Sequence, residues 1–210
     1  IMKQVTTILA ILVGFTMNGQ WSYNSNNTGV QASTCTASGS YSTAMGDGTT
    51  ASGDYSTSMG RSTAASALYS TAMGRSTAAS ALYSTAMGYG TDASGNFSTA
   101  MGSYTTASAL YSTAMGDGTI ASGSRSTAMG SYTTASDYAS LSIGRYNSVN
   151  STVTAGGSAT SFDTDNAALV IGNGTGSSTK SDAFVVYFNG NATLSGDLTI
   201  NSDERLKDNI

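Results

Sequence analysis

A chain of 210 residues with no histidine and one cysteine, Cys35, carries few groups able to do chemistry. The missing imidazole removes Ser-His-Asp and Cys-His catalysis and the commonest metal ligand. One thiol builds neither a zinc cluster nor an intrachain disulfide, and Cys35 reads as an unpaired thiol ahead of the repeated block. Asp47 and Asp117 stand in Asp-Gly pairs, but a single carboxylate falls short of the several convergent oxygens that calcium needs. Both are assigned to turns; no metal and no cofactor is expected. The eight Lys and Arg are scattered from Lys3 to Lys207 under a net charge of −4, which argues against nucleic acid, since phosphate binding needs a dense basic surface. No cluster of acids or phosphate loop supports an enzyme acting on an external substrate. What remains are side chains at variable positions of a repeated frame: Arg61, Arg75, Tyr89, Tyr104 and Arg145 are the candidate ligand-facing residues.

That frame is an internal repeat of 14 residues, running without gaps from Ala37 to Ser148 in eight copies. It reads Ala-Ser-x-x-Tyr-Ser-Thr-Ala-Met-Gly-x-x-Thr-x. One column holds Met45, Met59, Met73, Met87, Met101, Met115 and Met129, with Ile143 in the eighth copy, and each is followed by glycine, from Gly46 to Gly144. Serine fills another column from Ser42 to Ser140, and an aromatic column runs Tyr41, Tyr55, Tyr69, Tyr83, Phe97, Tyr111 before lapsing at Arg125 and Ala139. Self-similarity at a fixed period is the mark of a repeat architecture.

Fourteen residues equal two heptads, yet a coiled coil fails here. Every copy carries glycine among Ser and Thr, and glycine costs about 1 kcal/mol per helical position. The alternation of Ser42 and Ala44 against Thr43 and Met45 instead fits a short strand with one small-residue face and one larger face. Gly46 is expected to end that strand, and pairs such as Asp47-Gly48, Arg61-Ser62 and Tyr89-Gly90 to carry a turn. A second strand over Thr49 to Ser52 and a turn at Gly53-Asp54 complete one coil. The fold class is all-β, a parallel β-roll (solenoid) with like side chains stacked over like at about 4.8 Å. The Ala44 column suits a narrow interior, which Met and Tyr are too bulky to share. An interior of Ala and Ser buries too little apolar area to offset the ordering of its chain. The Met45 to Ile143 stripe is therefore expected at an interface in an obligate oligomer.

Units such as Tyr69 to Ser80 resemble the head repeats of YadA-like trimeric autotransporter adhesins, whose pattern is Ser-x-Ala-φ-Gly at the same spacing. The resemblance covers about half of the chain and implies a left-handed roll, a homotrimer and a surface-displayed adhesive rod; it brings no receptor. The residues after the repeats show neither a heptad stalk nor a membrane barrel. Instead, Ala168–Gly174, Ala183–Asn191 and Leu194–Ile200 read as strands between Gly/Ser/Asn turns. The last segment, Ser202 to Ile210, resembles the opening of the intramolecular chaperone domain of endosialidase-type phage tailspikes. That resemblance implies self-cleavage between Asn201 and Ser202, with Ser202 as nucleophile and Lys207 as base. A lysine kept neutral by burial can deprotonate a hydroxyl without histidine, so the pair is expected to stay inactive without the rest of that domain.

At the other end, Met2-Lys3 and the apolar run Ile8 to Phe15 read as a signal peptide, too short to span a bilayer. The organisation expected is then a signal peptide over 1–20, a linker over 21–36, a β-roll head over 37–148, a β-rich neck over 149–201 and the start of a truncated chaperone domain over 202–210. The mature chain carries no membrane-spanning segment in this reading. It is a secreted homotrimeric fibre at the bacterial surface, attaching to a host surface, a matrix protein or a glycan. Two rival readings are a phage-type tail fibre, suggested by the terminal motif, and an ice-binding solenoid, suggested by threonine rows at Thr43 to Thr127 and Thr49 to Thr133.

Overall fold

The computed structural model describes residues 21–23, 30–32 and 34–197. The expected signal peptide, much of the linker, and Asn201, Ser202 and Lys207 with the whole terminal motif lie outside the described residues. Among those described, every regular element is a strand.

Each coil contributes one five-residue strand and one two-residue strand, as in Thr43–Asp47 followed by Thr50–Ala51, then Thr57–Arg61 followed by Ala64–Ala65. The long strands stack into one parallel sheet and the short ones into a second. Register is kept residue for residue: Thr43 lies on Thr57, Met45 on Met59 and Gly46 on Gly60. The last repeat obeys it too, with Ile143 on Met129 and Gly144 on Gly130.

Strand alternation sorts the side chains. Ala44, Ala72, Ala86, Ala100, Ala114 and Ala128 are fully buried, as are Ser58 and Ser142, which stand in the same column. From the second sheet come Ala51, Ala65, Ala79, Ala93, Ala107, Ala121 and Ala135, all fully buried. The interior is thus built from alanine, serine and threonine, and Thr43 and Met45 point the other way, onto the outer face of the long-strand sheet.

Two expectations need correction. Gly46 does not end its strand, which runs on to Asp47; the glycine is needed inside it, at φ +127°. A Cβ there would fall 1.8 Å from the carbonyl oxygen of Gly60 in the next coil, so only a residue without a side chain lets consecutive coils stack. The second strand is also shorter than expected, Thr50–Ala51, and Thr49 turns inward. The whole column from Thr49 to Thr133 is buried. One of the two threonine rows behind the ice-binding reading is therefore interior.

The long-strand sheet extends past the repeats at both ends. Val30–Ala32 adds in parallel before Thr43–Asp47, and Trp21–Tyr23 pairs antiparallel with it. After Leu141–Arg145 the strand Ala167–Asn173 adds in parallel, placing Ile171 on Ile143 and Gly172 on Gly144. The methionine and glycine columns so gain a further member from outside the repeats. The sheet then closes with the antiparallel strands Asp182–Tyr187 and Ala192–Leu194. The last strand starts earlier than Leu194 and ends there; residues 198–200 lie outside the described residues.

The short-strand sheet stops at Thr134–Ala135, where side chains replace the next coil. The Asn147 amide accepts from the Thr134 N–H at 2.8 Å and donates to the Thr134 carbonyl at 2.8 Å. Asn150 Oδ1 accepts from the N–H groups of Ser136 and Asp137, and its Nδ2 donates to Ser142 Oγ. Beside them the fully buried carboxylate of Asp137 accepts from the N–H and hydroxyl of Thr154 and from the Ala167 N–H, at 2.6 to 2.7 Å. Backbone groups of a terminal strand must find partners, and here Asn and Asp supply them.

Candidate functional site

The face and the two edges of the roll carry the candidate residues. On the face, Met45, Met59, Met73, Met87, Met101 and Met115 are half-buried, as is Ile143, and Met129 is 39% exposed. They form one stripe beside the half-buried threonine column that starts at Thr43.

One edge carries the variable positions. Arg61, Arg75, Tyr89 and Arg145 each end a long strand and are exposed, and Tyr104 is 58% exposed in the adjoining turn. The structure groups them unequally. Arg61 Nε lies 3.5 Å from Asp47 Oδ2, with both side chains mostly in solvent, a pair of small energetic weight. Arg75 lies over the Tyr89 ring at 5.3 Å, and Tyr89 meets Tyr104 edge to face at 4.9 Å. The hydrogen bond that the Tyr104 phenol donates to Tyr89 holds it above the ordinary tyrosine value. Arg145 stands apart, over Tyr146 at 5.1 Å, and Tyr146 stacks on Tyr132 at 4.8 Å.

The opposite edge carries the aromatic column of the repeat. Tyr41, Tyr55, Tyr69, Tyr83, Phe97 and Tyr111 stack face to face at 4.7 to 5.1 Å, with interplanar angles of 8 to 17°. Each sits at φ +55 to +58°, a region that bulky residues avoid. The turn imposes this coil after coil, since the N–H of each aromatic from Tyr55 to Tyr111 donates to a carbonyl of the preceding coil, as Tyr55 does to Ser40 at 2.7 Å. Stacking offsets part of that strain. Arg125 takes the next place, over Tyr111 at 5.5 Å and Tyr138 at 5.3 Å, and donates to the Tyr138 hydroxyl at 2.8 Å. The lapse of the aromatic column is thus a cation in the place of a ring. The column and its outward side were legible in the repeat; the positive φ of its residues was not.

Cys35 is buried at the first coil, its Sγ 3.3 Å from the Gly46 carbonyl that accepts from it. Burial works to raise this thiol, but hydrogen bonds from the Thr49 side chain and backbone and from Thr34 outweigh it and leave the thiol below its ordinary value. Among the described residues no three His, Cys, Asp or Glu gather as a metal site, and no helix is long and apolar enough to cross a membrane.

No curated protein matches the chain. The family model described as YadA head domain repeat (2 copies) matches residues 37–63, 65–91, 93–119 and 121–147, just over half of the chain. Each match spans two coils of the roll, and each coil keeps a small inward residue, alanine or serine, the outward apolar residue and the glycine that lets the coils stack. By that match and that geometry, the chain belongs to the YadA head repeat family.

Proposed function

We propose that the chain is the head of a homotrimeric fibre displayed at the cell surface or outside the cell, and that its task is attachment to a surface, a matrix protein or a glycan. The observation that carries the reading is the methionine stripe, an unbroken apolar row on the outer face of a roll whose interior holds little beyond alanine, serine and threonine. A row of that kind on a secreted chain is the natural place for chain-to-chain contact, and family membership supports the trimer. Three copies of the variable edge with Arg61, Arg75, Tyr89, Tyr104 and Arg145 then multiply weak contacts through effective concentration. The native mass of the full chain tests the assembly: three chains are expected, and a folded monomer overturns it. Attachment is tested by comparing assembled and disassembled chain on immobilised matrix proteins and glycans, with loss of retention expected on disassembly.

The resemblance of Ser202 to Ile210 to a chaperone opening supports a maturation step in a longer form of the protein. Ser202 is its nucleophile, Lys207 its base and the peptide after Asn201 its scissile bond. A Ser202→Ala variant of that longer form is expected to stay uncleaved, and cleavage that persists in it removes the assignment. The same motif is what favours a phage-type fibre as the second reading.

A further inference from the structure

The aromatic edge holds something that packing alone does not require. The hydroxyls of Tyr41, Tyr55, Tyr69 and Tyr83 make no hydrogen bond among the described residues, and Phe97 fills the same column with the same stacking, at 5.0 Å from Tyr83 and 4.9 Å from Tyr111. A ring is therefore what the stack needs. The phenol oxygen is an addition, kept at four consecutive coils.

Those four rings lie 4.7 to 5.1 Å apart and within 8 to 17° of parallel. They are 63%, 50%, 41% and 47% exposed in chain order, so their edges and oxygens face solvent. The strand register and the hydrogen bonds of each turn pin every ring above its neighbour from the coil before.

We propose that Tyr41 to Tyr83 is an oxidative cross-linking site, at which neighbouring coils become joined by dityrosine under a peroxidase-type one-electron oxidant with hydrogen peroxide. Each of two adjacent phenols loses one electron and its hydroxyl proton, giving two phenoxyl radicals with spin on the ring carbons next to the oxygen. Hydrogen peroxide takes up the two electrons and two protons and leaves as two waters. The radicals couple through one carbon–carbon bond between Cε atoms, and the hydrogen on each joined carbon moves as a proton to its phenolic oxygen. The pair has then lost two hydrogen atoms in all. The exposed tips give the rings the freedom to tilt together, and the fixed backbone decides which rings meet. The product is a staple along the rod axis, which limits the unfolded chain as a disulfide does. Tyr111 lies between Phe97 and Arg125 in the column and has no phenol beside it there.

The test treats the full chain with a haem peroxidase and hydrogen peroxide, then maps cross-linked peptides by mass. Links within a single chain are expected between Tyr41 and Tyr55, Tyr55 and Tyr69, or Tyr69 and Tyr83, each with the loss of two hydrogen atoms, together with a higher melting temperature. Tyr55→Phe combined with Tyr83→Phe leaves no two phenols adjacent in the ladder and is expected to abolish these links; Phe97 shows that the fold accepts the ring. Tyr69→Phe alone leaves Tyr41 and Tyr55 and is expected to halve the yield from the ladder. The proposal is overturned if the oxidised wild type holds no dityrosine within Tyr41 to Tyr83, if the links join only different chains, or if the double variant gives the same yield. The wild-type map stands by itself should a variant misfold.

Discussion

The hydroxyls of Ser58 and Thr63 hydrogen-bond across the interior of the second coil at 2.7 Å. Ser58 stands in the column that alanine fills in most other coils, and it gives the inward threonine its partner. In four coils where alanine takes that place, Thr77, Thr91, Thr105 and Thr119 keep a buried hydroxyl with no partner. Ala86→Ser should therefore pair Thr91 and raise stability by about 1 kcal/mol, and Ser58→Ala should cost about 1 to 3 kcal/mol by stranding Thr63. Denaturant unfolding of the two variants measures both effects.

Glycines at two positions of the repeat should respond differently to alanine. A Cβ on Gly88 would fall 2.0 Å from the Gly102 carbonyl oxygen, at φ +122°. Gly88→Ala is expected to cost roughly 3 kcal/mol or more, since the obstacle is stacked backbone that cannot yield. Gly48, at φ +60°, would meet nothing within 4 Å, and Ser62 and Ser76 already occupy its place at φ +53° and +54°. Its replacement by alanine should cost about 1 kcal/mol. Thermal melts of both variants separate crowding from backbone strain.

The methionine stripe offers a test of assembly through polarity at constant position. Met87→Lys puts a charge where the trimer reading places a chain contact, and a buried unpaired charge costs several kcal/mol. The expected outcome is chains lighter than a trimer by sedimentation. Met87→Ile should leave the mass unchanged and cost less than about 1.5 kcal/mol, because Ile143 and Ile171 already stand in this column.

Asp137 holds the end of the roll through three hydrogen bonds to one carboxylate. Bonds to a charged group contribute about 1.5 to 3 kcal/mol each, and they share one anchor, so Asp137→Ala should cost about 3 kcal/mol or more. Hydrogen exchange should rise first at residues 149–166, with the central coils still protected.

The coil itself was legible before the structure, because strict repetition exposes the two-residue alternation that puts Ala44 inside and Met45 outside. The glycine column was legible in position and not in role. Its φ depends on contact with the next coil, which no single copy contains. The inward turn of Thr49 and the positive φ of Tyr41 to Tyr111 were hidden for a related reason, since both follow from turn dihedrals. The end of the roll was hidden most fully. Nothing in the sequence marks the partners of Asp137, Asn147 and Asn150, and the stretch from Val149 to Asp165 resembles no repeat because its work is to close one. Ile171-Gly172 kept the pattern of the columns, yet a long insertion separated it from them.

Because each coil meets the next through the same residues in the same register, length is a variable the fold can change in whole steps. Residues 60–73 and 74–87 are identical in sequence, so the gain or loss of either copy leaves every pairing above and below as it was. A change of 14 residues moves the tip of the rod by one strand spacing, about 4.8 Å; a slip by an odd number of residues within a strand turns alanines outward and methionines inward. The molecule works as a ruler with one graduation, and a genome that copies or drops a unit alters reach without having to invent a new surface.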